Sequence, residues 1–215
     1  MTYKKPRVPD ALKTTSRMDE FFTQRKISKA TTDSFRIYTA MRKFGDDPEE
    51  VIAFPYHVDG EVVNIKYRSF QKQFQQEPSA QRPLFNIDNV TGDSIVFVEG
   101  EMDVLACWEA GIKNAVSLPD GAPKEAKFRD DDKRFAALSD CEKLEKIRKV
   151  YIAVDMDEAG EALAAELAHR FGKDRCYKVQ WPSSNDVVCK DSNETLIDHG
   201  AVVLKECIDY ATAYP

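Results

Sequence analysis

The chain has 215 residues, enough for one large domain or a medium domain with a smaller partner, and enough to fold around its own core without a covalent staple. Hydrophobic residues make up 42% and charged residues 32%, which is very polar but excludes a wholly disordered chain. The net charge of −6 argues against a generally polybasic nucleic-acid binder, yet it is unevenly spread: residues 1–75 hold 14 basic and 10 acidic side chains, residues 76–215 hold 17 and 27.

Residues 1–20, with Pro6 and Pro9 and few large apolar side chains, read as a loosely held tail leading into a helix near Met18 to Arg25. FFTQRKISKATTDSFRI (21–37) then breaks at KIS and starts a second short helix capped by Ser28. In VIAFPYHVDGEVVNIKYRSF two β-rich runs, 51–57 and 61–69, flank Asp59-Gly60, a dipeptide suited to the positive φ of a tight hairpin. Alternation in the second run puts Asn64, Lys66 and Arg68 on one face, expected to be basic and exposed, and Ile65 and Tyr67 on the other. Residues 71–93 are polar and read as a connecting loop.

Beyond them the pattern alternates: strands at 95–99, 114–119, 149–155 and 176–180, helices at 102–111, 158–172 and 201–213. Alternation of this kind predicts an α/β fold with a mostly parallel sheet flanked by helices. The runs IVFV and VYIAV are continuously apolar, as in strands buried on both faces. The expected division is a smaller N-terminal α+β module at 1–90 and a C-terminal α/β domain at 91–215.

Acidic groups follow these strands, where open α/β sheets bind ligands. Glu99-Gly100-Glu101-Met102-Asp103 ends the first strand and opens a helix. Asp155-Met156-Asp157-Glu158-Ala159-Gly160 ends another, and its i, i+2 spacing on an extended tail aims Asp155 and Asp157 to one side. Lys190-Asp191-Ser192-Asn193-Glu194 supplies a third group. Carboxylates at this density repel unless a cation neutralises them, and Mg²⁺ prefers a few carboxylates together with water and phosphates. The plainer reading is that Asp103, Asp157 and Glu158 favour helix N-termini and that Asp191 to Glu194 has the spacing of a capping box.

EGEMD after IVFV, and DMDEAG after YIAV, resemble the TOPRIM domain shared by primases, topoisomerases and some nucleases. VSLPDGAP (116–123) and KDSNETL (190–196) resemble segments of the primase half of phage primase-helicases and of the related mitochondrial Twinkle, and 21–37 resembles the helical entry to DnaG-type and phage primase cores. The resemblance covers roughly 18–212, departing where Lys26 stands in place of a common Gly and in the highly charged stretch 124–148.

This resemblance implies a primase, a nucleotidyltransferase making short RNA primers on single-stranded DNA from ribonucleoside triphosphates with Mg²⁺, or Mn²⁺ in its stead. It makes Glu99, Asp155 and Asp157 the main metal-site acids, with Glu99 the candidate general base for the attacking 3′-hydroxyl and Asp103 and Asp191 in support. Lys66, Arg68, Lys72, Arg82 and Lys190 are the implied nucleotide- or template-binding residues. A TOPRIM nuclease and a non-catalytic DNA-binding or helicase-assembly module are the alternatives.

No zinc-ligand set and no GxxxxGK[ST] loop occur, so this chain alone does not unwind DNA by ATP hydrolysis. The resemblance implies a hexameric helicase fused or associated at the C-terminus, where IDYATAYP resembles the end of a primase half, and a stand-alone small primase fits the sequence too. Five cysteines without a CxxC pair, no secretory leader and no run of about 18 apolar residues suggest reduced thiols in a cytosol, taken as that of a bacterium or its phage.

Overall fold

The computed structural model describes residues 3–139, 141–184 and 187–215. Two compact units, Met1–Pro83 and Leu84–Pro215, divide the chain. The division falls earlier than residue 90 because 84–90 are bound into the second unit. The Phe85 N–H donates to the Ser117 carbonyl, and the Asn86 amide donates to the carbonyls of Lys113 and Ala115 at 3.0 and 2.8 Å.

In the first unit, α1 (Ser16–Thr23) is capped by Thr15, whose hydroxyl accepts the Met18 N–H, and it buries Met18, Phe21 and Phe22. Ser28 caps α2 (Lys29–Ser34) through the Thr31 N–H. The break between them places Lys26 at φ 53°, the left-handed region that favours glycine.

Four antiparallel strands follow in the order β1-β2-β3-β4: β1 (Tyr38–Lys43), β2 (Pro48–Val58), β3 (Glu61–Ser69) and β4 (Phe74–Gln76). Asp59 and Gly60 turn β2 into β3 at φ 53° and 78°. Tyr38, Val51, Ala53, Ile65 and Tyr67 form a core on one face, with Val8 and Leu12 packed against it. The N-terminal segment is therefore held rather than loose, and Thr39 donates to the Lys13 carbonyl at 2.8 Å.

The other face corrects an expectation. Lys66 and Arg68 are each only 8% exposed. Their cross-strand partners are Phe54 and Ile52, and α1 lies over this face, with Phe22 edge-on to Phe54 at 6.4 Å. The Arg68 guanidinium sits 4.7 Å from the Phe21 ring centroid, and Lys66 Nζ sits 5.2 Å from that of Phe74. Alternation set the side of the sheet correctly; the helix laid across it removes the exposure.

The second unit opens with β5 (Ser94–Val98), α3 (Glu101–Glu109), β6 (Ala115–Ser117), α4 (Ala136–Ser139), β7 (Lys149–Ile152), α5 (Glu158–Phe171) and β8 (Cys176–Lys178). A small antiparallel ribbon of β9 (Ser183–Ser184) and β10 (Val187–Val188) follows, then α6 (Ser192–Asp209) and β11 (Thr212–Ala213). The five-stranded sheet has the order β11-β8-β7-β5-β6, parallel throughout except for β11. The protein is thus a mixed α/β fold, as expected.

The last helix departs from expectation. It begins at Ser192 under an Asp191 cap and is broken at Gly200 (φ 87°), so the sequence periodicity reads cleanly only beyond the kink. Residues 212–213, expected to be helical, add the edge strand.

Candidate active site

From β5 the chain passes through α3 to β6 on one side, then returns to β7 on the other. The carboxyl ends of β5 and β7 therefore flank a topological switch point, the usual ligand crevice of an open α/β sheet. Glu99 follows β5 and Asp155 follows β7, brought level by the parallel register that pairs Phe97 with Ile152. The Asp155 N–H donates to Glu99 Oε1 at 3.3 Å.

Asp155 and Asp157 do turn to one side, and Lys190 lies between them, its Nζ 2.9 Å from Asp155 Oδ2 and 3.2 Å from Asp157 Oδ2. Asp157 caps α5 by accepting the Gly160 N–H at 3.0 Å. Gly160 itself is obligatory: a Cβ there would meet the Asp155 carbonyl oxygen at 2.0 Å and Glu99 Oε1 at 2.8 Å.

The third segment closes on the first. Asp103 is buried in the first turn of α3, and its Oδ1 accepts the Asn193 N–H from the start of α6 at 3.2 Å. Asp191 caps α6 through the Glu194 N–H at 2.8 Å, so the capping-box reading holds alongside the site reading. The Met156 N–H donates to the Lys190 carbonyl at 3.0 Å, fastening the 155–157 loop to the segment that carries Lys190 and Asp191.

Electrostatics follow from this crowding. Burial, then the charges of Asp155 and Asp157, push the Glu99 carboxyl up to about 7. Burial, with the charges of Asp191 and Asp155, holds Asp103 well above the usual carboxylate range, and burial raises Asp191 too. Asp157 runs the other way, lowered by the Gly160 N–H and the Lys190 ammonium.

Glu99, Asp103, Asp155, Asp157, Asp191 and Lys190 thus share one neighbourhood of the second unit. Among the described residues no three His, Cys, Asp or Glu side chains form a ready metal cage. The donor set nonetheless fits a hard divalent ion. All its ligand atoms are carboxylate oxygens. Glu99, Asp103 and Asp191 are shifted upward by burial and by the neighbouring acids, a crowding that a divalent ion would relieve, and Mg²⁺ needs only one or two carboxylates besides water and phosphate oxygens.

Lys66, Arg68, Lys72 and Arg82 belong to the first unit. Lys72 and Arg82 are exposed, Lys72 in the β3–β4 turn at φ 68°. Two features were not read from sequence: Glu101, buried beside Asp103 in the first turn of α3, and the seat of Lys190 on the aspartate pair. The DxDxxG spacing carried the signal for the Gly160 contact.

Residues 93–180 match the family model of the Toprim domain. The chain carries a Toprim domain. It is 44% identical over 206 residues to the "Primase homolog protein" of Arabidopsis thaliana, a match covering 92% of this chain and 60% of that one. It is 42% identical over 206 residues to the "Twinkle homolog protein, chloroplastic/mitochondrial" of the same plant, covering 92% and 28%. It therefore spans less than two thirds of either relative.

One solved structure it resembles is that of bacteriophage T7 lagging-strand DNA polymerase interacting with primase domains of two gp4 subunits bound to an RNA/DNA hybrid and dTTP. The TM-score is 0.71 at 23% identity, over 95% of this chain and 94% of the matched chain. The Toprim domain is thus set in a primase-core fold. Among the described residues no helix is long and apolar enough to cross a membrane. Because one relative is named for plant organelles, the expectation of a bacterial cytosol is not carried forward.

Proposed function

We propose that this chain is the catalytic core of a DNA primase, joining ribonucleotides on a single-stranded DNA template by divalent-metal-dependent nucleotidyl transfer. The convergence of Glu99, Asp155 and Asp157 at the switch point of the Toprim sheet carries this reading. Relatives named as primase and Twinkle homologues, and the fold shared with a structure holding primase domains on an RNA/DNA hybrid, support it.

Glu99, Asp155 and Asp157 would hold Mg²⁺ or Mn²⁺, backed by Asp103 and Asp191. Such an ion polarises the α-phosphate and offsets charge on the departing pyrophosphate. Glu99 is the group suited to take the proton of the attacking 3′-hydroxyl. Burial lifts its carboxyl to about 7, so near neutral pH a substantial fraction is ionised and still proton-hungry, and the Asp155 N–H orients it.

Exposed Lys72 and Arg82 would supply cations for template phosphates, while Lys66 and Arg68 lie buried against Phe74 and Phe21. A hexameric helicase, fused or associated, is the partner this reading implies.

The test is to incubate the chain with a single-stranded oligonucleotide, Mg²⁺ or Mn²⁺ and labelled ribonucleoside triphosphates. Template-complementary oligoribonucleotides are expected. A second arm without nucleotides separates the alternatives, because shortening of a labelled strand there marks a nuclease, and no product in either arm marks a non-catalytic module.

A further inference from the structure

The Asp155–Asp157 pair already has a cation on it. The Lys190 ammonium contacts Oδ2 of both aspartates, two of the carboxylates that would hold a divalent ion. An ion about 2.1 Å from these carboxylates, as Mg²⁺ requires, would bring two positive charges against the ammonium, so the two cations compete for the pair.

The root of Lys190 is fixed by the backbone, while its end is held only by the two ion pairs and borders solvent. Its carbonyl accepts the Met156 N–H at 3.0 Å, its own N–H donates to Glu194 Oε2 at 2.6 Å, and the next residue caps α6. The side chain, by contrast, is 43% exposed. The ammonium can therefore swing into water on its four-carbon stem while the backbone that carries Asp155 and Asp157 stays in place. A compact charge on a flexible stem suits such an exchange, whereas an arginine fork would not leave one site so readily.

We propose that Lys190 is a resident counter-ion of this site: it holds the Asp155–Asp157 pair together while no divalent ion is bound and must leave for one to enter. Lys190 thereby sets the metal concentration at which the centre loads. The inference rests on the metal-dependent reading above, and it assigns Lys190 a positioning role distinct from contact with nucleotide or template.

Calorimetric titration of Mn²⁺ alone into the chelator-stripped full chain tests it. Lys190→Met, nearly isosteric and uncharged, is expected to bind Mn²⁺ about tenfold more tightly than the unsubstituted chain, an order-of-magnitude figure for removing one competing charge. Lys190→Arg keeps the charge and is expected to show no such gain. Equal or weaker binding by Lys190→Met overturns the inference and leaves the metal reading standing, as does an equal gain in Lys190→Arg. No Mn²⁺ binding by the unsubstituted chain overturns the metal reading itself.

Should Lys190→Met fail to fold, the unsubstituted chain still decides. The Lys190 Nζ resonance, followed by NMR during Mg²⁺ titration, is expected to lose its ion-pair signature in step with binding. A resonance that stays put at saturation overturns the inference.

Discussion

Gly160 and the Asp155 carbonyl are in such close approach that even one methyl group could not be placed between them: the Cβ of any other residue would sit 2.0 Å from that oxygen. The start of α5 is thereby pressed onto the loop that carries the aspartate pair, and Glu99 is the next group a side chain would strike, at 2.8 Å. Gly160→Ala is expected to cost about 3 kcal/mol, at the upper end of overpacking penalties, because the obstructing atom is backbone and cannot rotate away. Urea unfolding of the variant measures the loss, and activity should fall with it as Glu99 is displaced.

The ionised Glu99 carboxylate works against the fold when metal is absent. Glu99 holds its proton up to about 7 in the folded chain against an ordinary 4.5, so between those values the folded state binds more protons than the unfolded one. Its contribution is therefore complete below about pH 4.5 and is lost as pH rises through 7. Glu99→Gln is expected to stabilise chelator-treated protein at pH 8 by about 1 kcal/mol, a figure discounted for partial exposure, while abolishing activity. Thermal unfolding at pH 5 and pH 8 checks the sign, since the gain should shrink at the lower pH.

Lys26 stands between α1 and α2 in the left-handed conformation that favours Gly. A Cβ in that region costs about 1–2 kcal/mol, offset in part by the greater freedom of Gly in the unfolded chain. Lys26→Gly is expected to raise stability by about 1 kcal/mol, read as a higher denaturation midpoint at unchanged slope.

Buried Glu166 helps tie down the charged segment 124–135. Glu166 Oε1 accepts the N–H groups of Lys127 and Phe128 at 2.5 and 2.9 Å, and Oε2 pairs with Arg170 at 3.2 Å. Glu166 is fully buried, so Glu166→Ala removes the acceptor of two amides and the carboxylate partner of Arg170, and a loss of about 3 kcal/mol is expected. Faster limited proteolysis within 124–135 would show that the segment has come loose.

Much of this architecture could be read in advance, for local reasons. Asp59-Gly60 marked the β2–β3 hairpin because few other dipeptides tolerate its φ values, and IVFV and YIAV marked strands buried on both faces. The acids were legible because each follows such a strand. What escaped depends on contacts remote in sequence. Alternation placed Lys66 and Arg68 on one side of β3, but only α1 packed across that side makes them buried. Gly200 hid the first half of α6, and β11 exists because β8 offers it an edge. No spacing rule joins Lys190 to Asp155 and Asp157, since the link passes through the β9–β10 ribbon and the turn that follows it.

The central claim is that these carboxylates form a nucleotidyl-transfer centre. It is tested most directly by comparing primer synthesis on one single-stranded template by the unsubstituted chain and by Asp155→Asn and Asp157→Asn variants of matched fold and DNA affinity. Template-complementary oligoribonucleotides from the unsubstituted chain, reduced at least about a hundredfold in both variants, are the expected result. Synthesis by the variants at the unsubstituted rate would contradict the account.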